Sequence, residues 1–205
     1  MKFPMEYIAS TLQLCLKMRT SFSFNQYLIT DDEPLLFHTG PRKMFPLVRE
    51  TVASVLPIEH LRYIGFSHLE AMVSVEDLAD RSPRALADGE AITLGKHRVR
   101  WFDAAHLPHA WDCGFLTEEL TKTFLCGDLF TQGGAGLPPV TESDILGPSE
   151  DFRQRMDYFS YTKNTRSILE RLASTEPTTL ACMHGSAWSG DGAKLLRNLA
   201  DSLIS

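Results

Sequence analysis

Five residues of metal-ligating type, His68, Glu70, His106, Asp128 and His184, each stand where a short apolar run gives way to polar or glycine-rich chain. A fold that uses them together must bring several strand ends to one edge, because loops held by a rigid scaffold usually carry a protein's chemistry. With strands and helices alternating along the chain, that requirement points to an α/β sandwich, two sheets inside and helices outside.

The elements follow from periodicity. The segment Phe22 to Thr30 alternates, and Asp31-Asp32-Glu33-Pro34 turns it into Leu35-Leu36-Phe37, so two adjacent antiparallel strands are expected. Apolar residues at 45, 48, 52, 55 and 56 form a helical stripe closed by Pro57. A strand from Leu61 to Phe66 delivers Ser67-His68-Leu69-Glu70. A short helical turn is expected over residues 74–80, and Pro83 to Gly89 reads as loop. Two strand pairs follow, Ala91–Leu94 with Val99–Asp103 and Gly114–Glu118 with Thr123–Cys126; the second delivers Gly127-Asp128. The Gly133-Gly134-Ala135-Gly136 run is a loop, and no helix with a basic residue follows it to make a phosphate cradle. Phe152 to Ala173 is expected to be the longest helix, Thr178–Met183 a strand delivering His184-Gly185, and Gly192–Leu203 a closing helix. No linker, repeat or low-complexity tract interrupts this order, so residues 1–205 read as one domain.

Composition narrows the function classes. The chain has 205 residues, 43% hydrophobic and 22% charged, which supports a sizeable buried core. A net charge of −6 without a long basic run argues against nucleic acid or an anionic membrane as partner. No apolar run reaches the ~18 residues needed to span a bilayer. Met1-Lys2-Phe3-Pro4 does not begin an export signal, so a cytoplasmic location is expected. The cysteines Cys15, Cys113, Cys126 and Cys182 lack CxxC spacing and mostly fall in apolar runs, as reduced packing residues do.

Imidazole nitrogens with carboxylate oxygens suit iron, manganese or zinc, whereas a thiolate set would favour zinc or an iron–sulfur cluster. His68 and Glu70, two apart after a strand, can converge on one ion. A lone His-x-Glu arises often by chance; the weight comes from His106, Asp128 and His184 at three further strand exits. The plainer reading of the same five is polar residues at ordinary loop edges.

These motifs also resemble a known family. Phe24-Asn25-Gln26-Tyr27-Leu28-Ile29 and Thr39-Gly40 are similar to the opening hairpin of the metallo-β-lactamase superfamily. Ser67-His68-Leu69-Glu70 is similar to the start of an HxExD signature, and His106-Leu107-Pro108 to a ligand loop. Cys126-Gly127-Asp128 looks like the bridging aspartate, and His184-Gly185-Ser186-Ala187-Trp188 like the final His-Gly-x-x-Trp. Within the superfamily the chain looks like the flavodiiron branch, nearest to stand-alone oxygen-binding di-iron proteins. Hydrolytic members usually carry HxHxDH, so Glu70 favours iron. The resemblance implies a metallo-β-lactamase-like αββα sandwich with one metal held by His68, Glu70 and His106, and Asp128 bridging to a second metal at His184. It implies one or two iron ions, with zinc as the alternative, and dioxygen or another small molecule as ligand. Without a flavodoxin half, it implies a separate electron donor or a signalling partner.

Two departures qualify that likeness. Met72 stands where the family places an aspartate for the second metal, and the interval from His68 to His106 is short by roughly 40 residues, one helix–strand unit. The likeness resumes at Met72-Val73-Ser74-Val75, as though a segment after Glu70 or Ala71 were deleted. His109 could stand in as a ligand; an outer or surface position is its plainer role. His38, His60 and His97 are expected to have no metal role. Trp111 and Trp188 could wall a pocket, or simply pack, and Tyr158 or Tyr161 could donate a hydrogen bond into it. Loss of a helix–strand unit would uncover apolar surface and invite a homodimer. Three functions follow: an oxygen-reactive non-haem iron protein, a metal-dependent hydrolase in which the metal activates water, or a scaffold without a complete second site.

Overall fold

The computed structural model describes the backbone of residues 5–8, 11–17, 23–68, 83–134 and 136–204, and the side chains of these from residue 23 onward. Glu70 and Met72, and the helical turn expected over 74–80, lie outside the described residues. A five-stranded sheet is formed by Met5–Ile8 (β1), Thr11–Lys17 (β2), Ser23–Ile29 (β3), Leu35–Phe37 (β4) and Tyr63–Gly65 (β5), in that order. All its pairs are antiparallel except β4–β5, which the helix Phe45–Ala53 (α1) connects as a crossover.

The second sheet contains Ala91–Thr93 (β6), Arg98–Asp103 (β7), Gly114–Glu118 (β8), Thr123–Gly127 (β9), Val140–Thr141 (β10), Thr179–Cys182 (β11) and Ala187–Ser189 (β12). Its order is β10-β12-β11-β9-β8-β7-β6, and β9 and β11 are parallel neighbours. The helices Leu146–Met156 (α2), Thr165–Ala173 (α3) and Gly192–Ile204 (α4) complete the chain. With α1 outside one sheet and α2–α4 outside the other, the fold is the expected αββα sandwich.

Strand alternation sorts the side chains into these layers. On the first sheet, Leu28 and Leu36 face Val48 and Val52 of α1, while Tyr27, Ile29, Leu35 and Phe37 face the second sheet. There they meet Val99, Leu116, Leu125 and Ala181. The opposite face of the second sheet presents Phe115, Phe124, Cys126, Leu180 and Cys182 to Leu169 and Leu172 of α3 and Leu196 and Leu199 of α4. Each such large side chain, fully buried, contributes about 1.5–3 kcal/mol, so three apolar layers hold the frame that carries the ligand loops. Cys113, Cys126 and Cys182 are free and buried, consistent with packing roles.

One helix expected from sequence divides in two. Instead of a single helix from Phe152 to Ala173, α2 starts earlier, at Leu146, and ends at Met156, where Asp157 takes a left-handed conformation with φ 48°. The stretch before α3 is drawn inward: Phe159 is buried, the Tyr158 hydroxyl donates to the Asp128 carbonyl at 3.2 Å, and Ser160 N–H donates to the Pro108 carbonyl at 2.6 Å. Tertiary contacts under the ligand loops override the helical pattern there, and α4, with 13 residues, is the longest helix described.

Candidate metal centre

Four loops meet at one edge of the sandwich. His68 follows β5, His109 follows β7, Asp128 follows β9 and His184 follows β11. Because β9 and β11 run parallel side by side, Asp128 and His184 leave the sheet together, and Met183 N–H donates to the Gly127 carbonyl at 2.9 Å. The first sheet is strapped onto this edge by β3: Asn25 Nδ2 donates to the Cys182 and Gly185 carbonyls at 2.9 and 2.8 Å, and the Tyr27 hydroxyl to Cys182 O at 2.6 Å. Gln132 ties the two loops across the edge, donating to Ser186 O at 3.2 Å and accepting from Ser186 N at 3.2 Å.

Asp128, only 7% exposed, is the hub. Its Oδ2 lies 3.0 Å from His109 Nε2 and 3.5 Å from His68 Nε2, and its Oδ1 lies 3.3 Å from His184 Nε2. No donor is aligned for a hydrogen bond to that buried Oδ1 among the described residues. Ligand atoms of His68, His109 and Asp128 all fall within 4.8 Å of one another. Burial alone would raise the Asp128 pKa, but the hydrogen bond from His109 and the close His184 and His68 imidazoles outweigh it and hold the carboxyl well below the usual range. The site therefore contains an ionised carboxylate with imidazole nitrogens on both of its oxygens.

The far side of two rings is also occupied. His184 Nδ1 lies 2.7 Å from the Ser23 carbonyl, which can only accept, so Nδ1 carries a proton while Nε2 faces Asp128. His68 Nδ1 lies 2.8 Å from Ser67 Oγ, whose other neighbour is His38 Nε2 at 3.2 Å. Burial depresses the His38 pKa to about 3, with the His68 charge adding to the effect, so its ring is neutral near pH 7. Outer partners of this kind orient metal-binding imidazoles. A buried carboxylate oxygen without an aligned donor, imidazoles aimed at it and backs of rings held by oxygen are together a donor set that fits a first-row divalent metal.

The structure thus brings together His68, Asp128 and His184 of the expected residues and adds His109. His106 takes another place: its backbone is left-handed, φ 65°, its N–H donates to the Ala110 carbonyl at 2.7 Å, and its ring packs edge-on against Trp111 at 4.6 Å. This turn, with its cis Leu107–Pro108 peptide, carries His109 to Asp128, with the His109 and His68 rings 4.8 Å apart. Trp111 is 84% exposed, while Trp188 packs against the helix-side core. Tyr158 sits beside the centre, its ring 6.1 Å from His109, whereas the Tyr161 hydroxyl accepts from Arg153 Nη1 at 2.6 Å. His38 and Ser67 were not expected at the site; a buried histidine directly after a strand had no spacing signal to mark it.

Comparison with solved structures places this geometry on a known scaffold. The chain matches a flavodiiron protein from Giardia intestinalis with a TM-score of 0.82 at 16% identity, over 97% of this chain and 58% of that one. The rubredoxin oxygen:oxidoreductase of Desulfovibrio gigas matches with a TM-score of 0.79 at 16% identity, over 97% of this chain and 61% of the other. A putative diflavin flavoprotein fragment from Nostoc matches with a TM-score of 0.82 at 14% identity, covering 98% of this chain and 95% of that fragment. The chain has the fold of the flavodiiron core. It spans about three-fifths of the length of the first two of these relatives. No protein-family profile matches the sequence, and no curated protein does. At these identities the likeness establishes the flavodiiron-core fold, and the residues at its edge carry the chemical argument.

Proposed function

We propose that this protein is a non-haem iron protein that binds or senses dioxygen at the centre formed by His68, His109, Asp128 and His184. The observation that carries the reading is the two-sided approach to Asp128: one carboxylate oxygen faces His68 and His109, the other faces His184. A carboxylate used from both sides suits a pair of metal positions, His68 and His109 serving one and His184 the other. Glu70, by its resemblance to an HxExD signature, would add a carboxylate to the first and favours iron over zinc. Iron, when bound, supplies reversible one-electron chemistry with dioxygen. The chain's own residues supply a buried carboxylate to hold positive charge, imidazoles oriented by Ser23 and Ser67, and a Tyr158 ring against His109. Electrons would come from a donor outside residues 1–205, and a cytoplasmic setting suits the free thiols.

Metal analysis after anaerobic expression with iron, followed by absorption spectra before and after admitting air, tests the proposal. Bound iron with an oxygen-dependent spectral change is the expected result. Tight zinc with hydrolytic turnover would favour the hydrolase reading, whose support is the same donor set acting on bound water. A metal-free chain that unfolds cooperatively would make it a scaffold.

A further inference from the structure

Asp128 and His184 leave neighbouring parallel strands, but the strand register ends below them, at Cys182 opposite Gly127. Above that point Gln132 joins the two loops through both its backbone and its side chain. Its N–H donates to the His184 carbonyl at 3.3 Å. Its side-chain Nε2 donates to the Ser186 carbonyl at 3.2 Å and to the Phe130 carbonyl at 3.1 Å, and Oε1 accepts from Ser186 N–H at 3.2 Å. The amide has one orientation only, because Nε2 faces two carbonyls and Oε1 faces an N–H. Gln132 therefore pairs with Ser186 as a neighbouring strand would, through one donor and one acceptor.

Both loops are shaped around this side chain. The stretch from Asp128 to Gln132 turns back on itself: Phe130 is left-handed, φ 58°, and the Thr131 hydroxyl donates to the Asp128 carbonyl at 2.8 Å. Gly185 has a positive φ of 94°, and a Cβ there would fall 2.6 Å from Gln132 Cβ and 2.8 Å from its Cδ. The bare glycine lets Gln132 lie across the residue that follows His184. Gln132 and Ser186 are both buried, so the groups they pair have no water to turn to. From the other side the first sheet holds the same loop: His184 Nδ1 lies against the Ser23 carbonyl, and Gly185 N–H donates to Ser23 Oγ at 2.9 Å.

We infer that Gln132 is a positioning residue for the metal position served by His184: its backbone and amide fix the spacing at which His184 Nε2 meets Asp128 Oδ1, 3.3 Å in the structure. Ser23 aims the His184 ring, and Gln132 sets how far its loop stands from the Asp128 loop. This role rests on Asp128 and His184 being ligands, as proposed above, and adds a residue that touches neither ring nor carboxylate.

Two measurements test it, one of them without metal. Amide hydrogen exchange of the metal-free protein reads Met183 N–H, whose acceptor is the Gly127 carbonyl at the base of both loops. Gln132→Met fills similar space without the hydrogen bonds, and should speed that exchange about 10-fold more than it speeds the β8 amides. Zinc titration calorimetry then supplies a double-mutant cycle. Gln132→Met should weaken zinc binding about 10- to 100-fold in the wild-type chain, but by no more than about twofold in a His184→Ala background, where the side chain it positions is gone. Unchanged affinity, equal losses in both backgrounds, or Met183 exchange that merely follows β8 would overturn the inference. If exchange responds as expected but wild type binds no zinc, the positioning role stands and the metal-centre reading fails. Gln132→Asn keeps the amide but is one methylene too short to reach Ser186; it should reproduce both losses and carries the test should Gln132→Met fail to fold.

Discussion

Two buried carboxylate–imidazole clusters in this protein use the same residue types to opposite ends. At the turn joining β8 to β9, Glu118 is buried beside His97, with His97 Nδ1 at 3.2 Å. Its oxygens are taken up by local donors: Leu120 N–H and Thr121 N–H, each at 2.8 Å, and the Thr121 hydroxyl. Asp31 completes that cluster by accepting from His97 N–H at 2.6 Å, which latches the β3–β4 turn of the first sheet onto the β6–β7 turn of the second. Asp128 has no backbone donors of this kind among the described residues; its partners are ring nitrogens arriving from three other loops. Backbone donors saturate a carboxylate and make a fastener, whereas converging imidazoles leave lone-pair capacity that a cation can use.

The contrast breaks most sharply if Asp128 is replaced. Asp128→Ala should weaken zinc or iron binding at least 100-fold, about 2.7 kcal/mol; calorimetry showing wild-type affinity would remove Asp128 from the centre. The two histidines of the next loop should then separate. His109→Ala is expected to cost about 10- to 100-fold in metal affinity, while His106→Ala should leave it within a factor of about two, since its ring lies against Trp111. Equal losses would return His106 to the ligand set.

Glu118 should answer to pH and not to metal. Its local hydrogen bonds outweigh the burial that would raise its pKa, so the folded-state value lies below the ordinary one of 4.5. A depressed carboxylate pKa contributes stability that is complete above the unfolded-state value and is lost as pH falls through the folded-state value. Glu118→Gln should therefore lower stability at pH 7 by about 1–2 kcal/mol in urea unfolding, with the gap from wild type closing below about pH 4.5 and metal affinity unchanged. A gap independent of pH would mean that packing, and not the charge, carries the effect. Smallest of all, Trp111→Ala should change thermal stability by no more than about 0.5 kcal/mol, because so exposed a ring buries little; a larger loss would show that the His106 turn depends on it.

Much of this was legible in advance for definite reasons. The alternation of β3, the Leu35–Phe37 run of β4, the Asp31–Pro34 turn and the strand pairs β6–β7 and β8–β9 are local patterns, and each formed within a residue or two of its expected bounds, while α1 stops at Ala53, three residues before the end of its apolar stripe at Leu56. Asp128 and His184 were marked by the abrupt change from apolar strand to Gly-Asp and His-Gly. The break at Asp157 was not legible, because the inward pull on Tyr158 and Phe159 comes from Pro108 and Asp128, far away in sequence. His109 was ambiguous for the same reason. His106 and His109 share one polar loop, and only the left-handed backbone at His106 and Ala110 decides which ring reaches the carboxylate.

The amino-acid order by itself determined the periodicities, hence two sheets flanked by helices, and it determined which residue types end the strands. Those are properties of neighbours along the chain. Which of those side chains meet, that Ser67 stands between two imidazoles, and that Asp128 is approached from both sides while Glu118 is sealed by its own turn, were decided only by tertiary structure. Distances of 3 Å between loops separated by tens of residues depend on how both sheets stack and on backbone turns that no local pattern encodes.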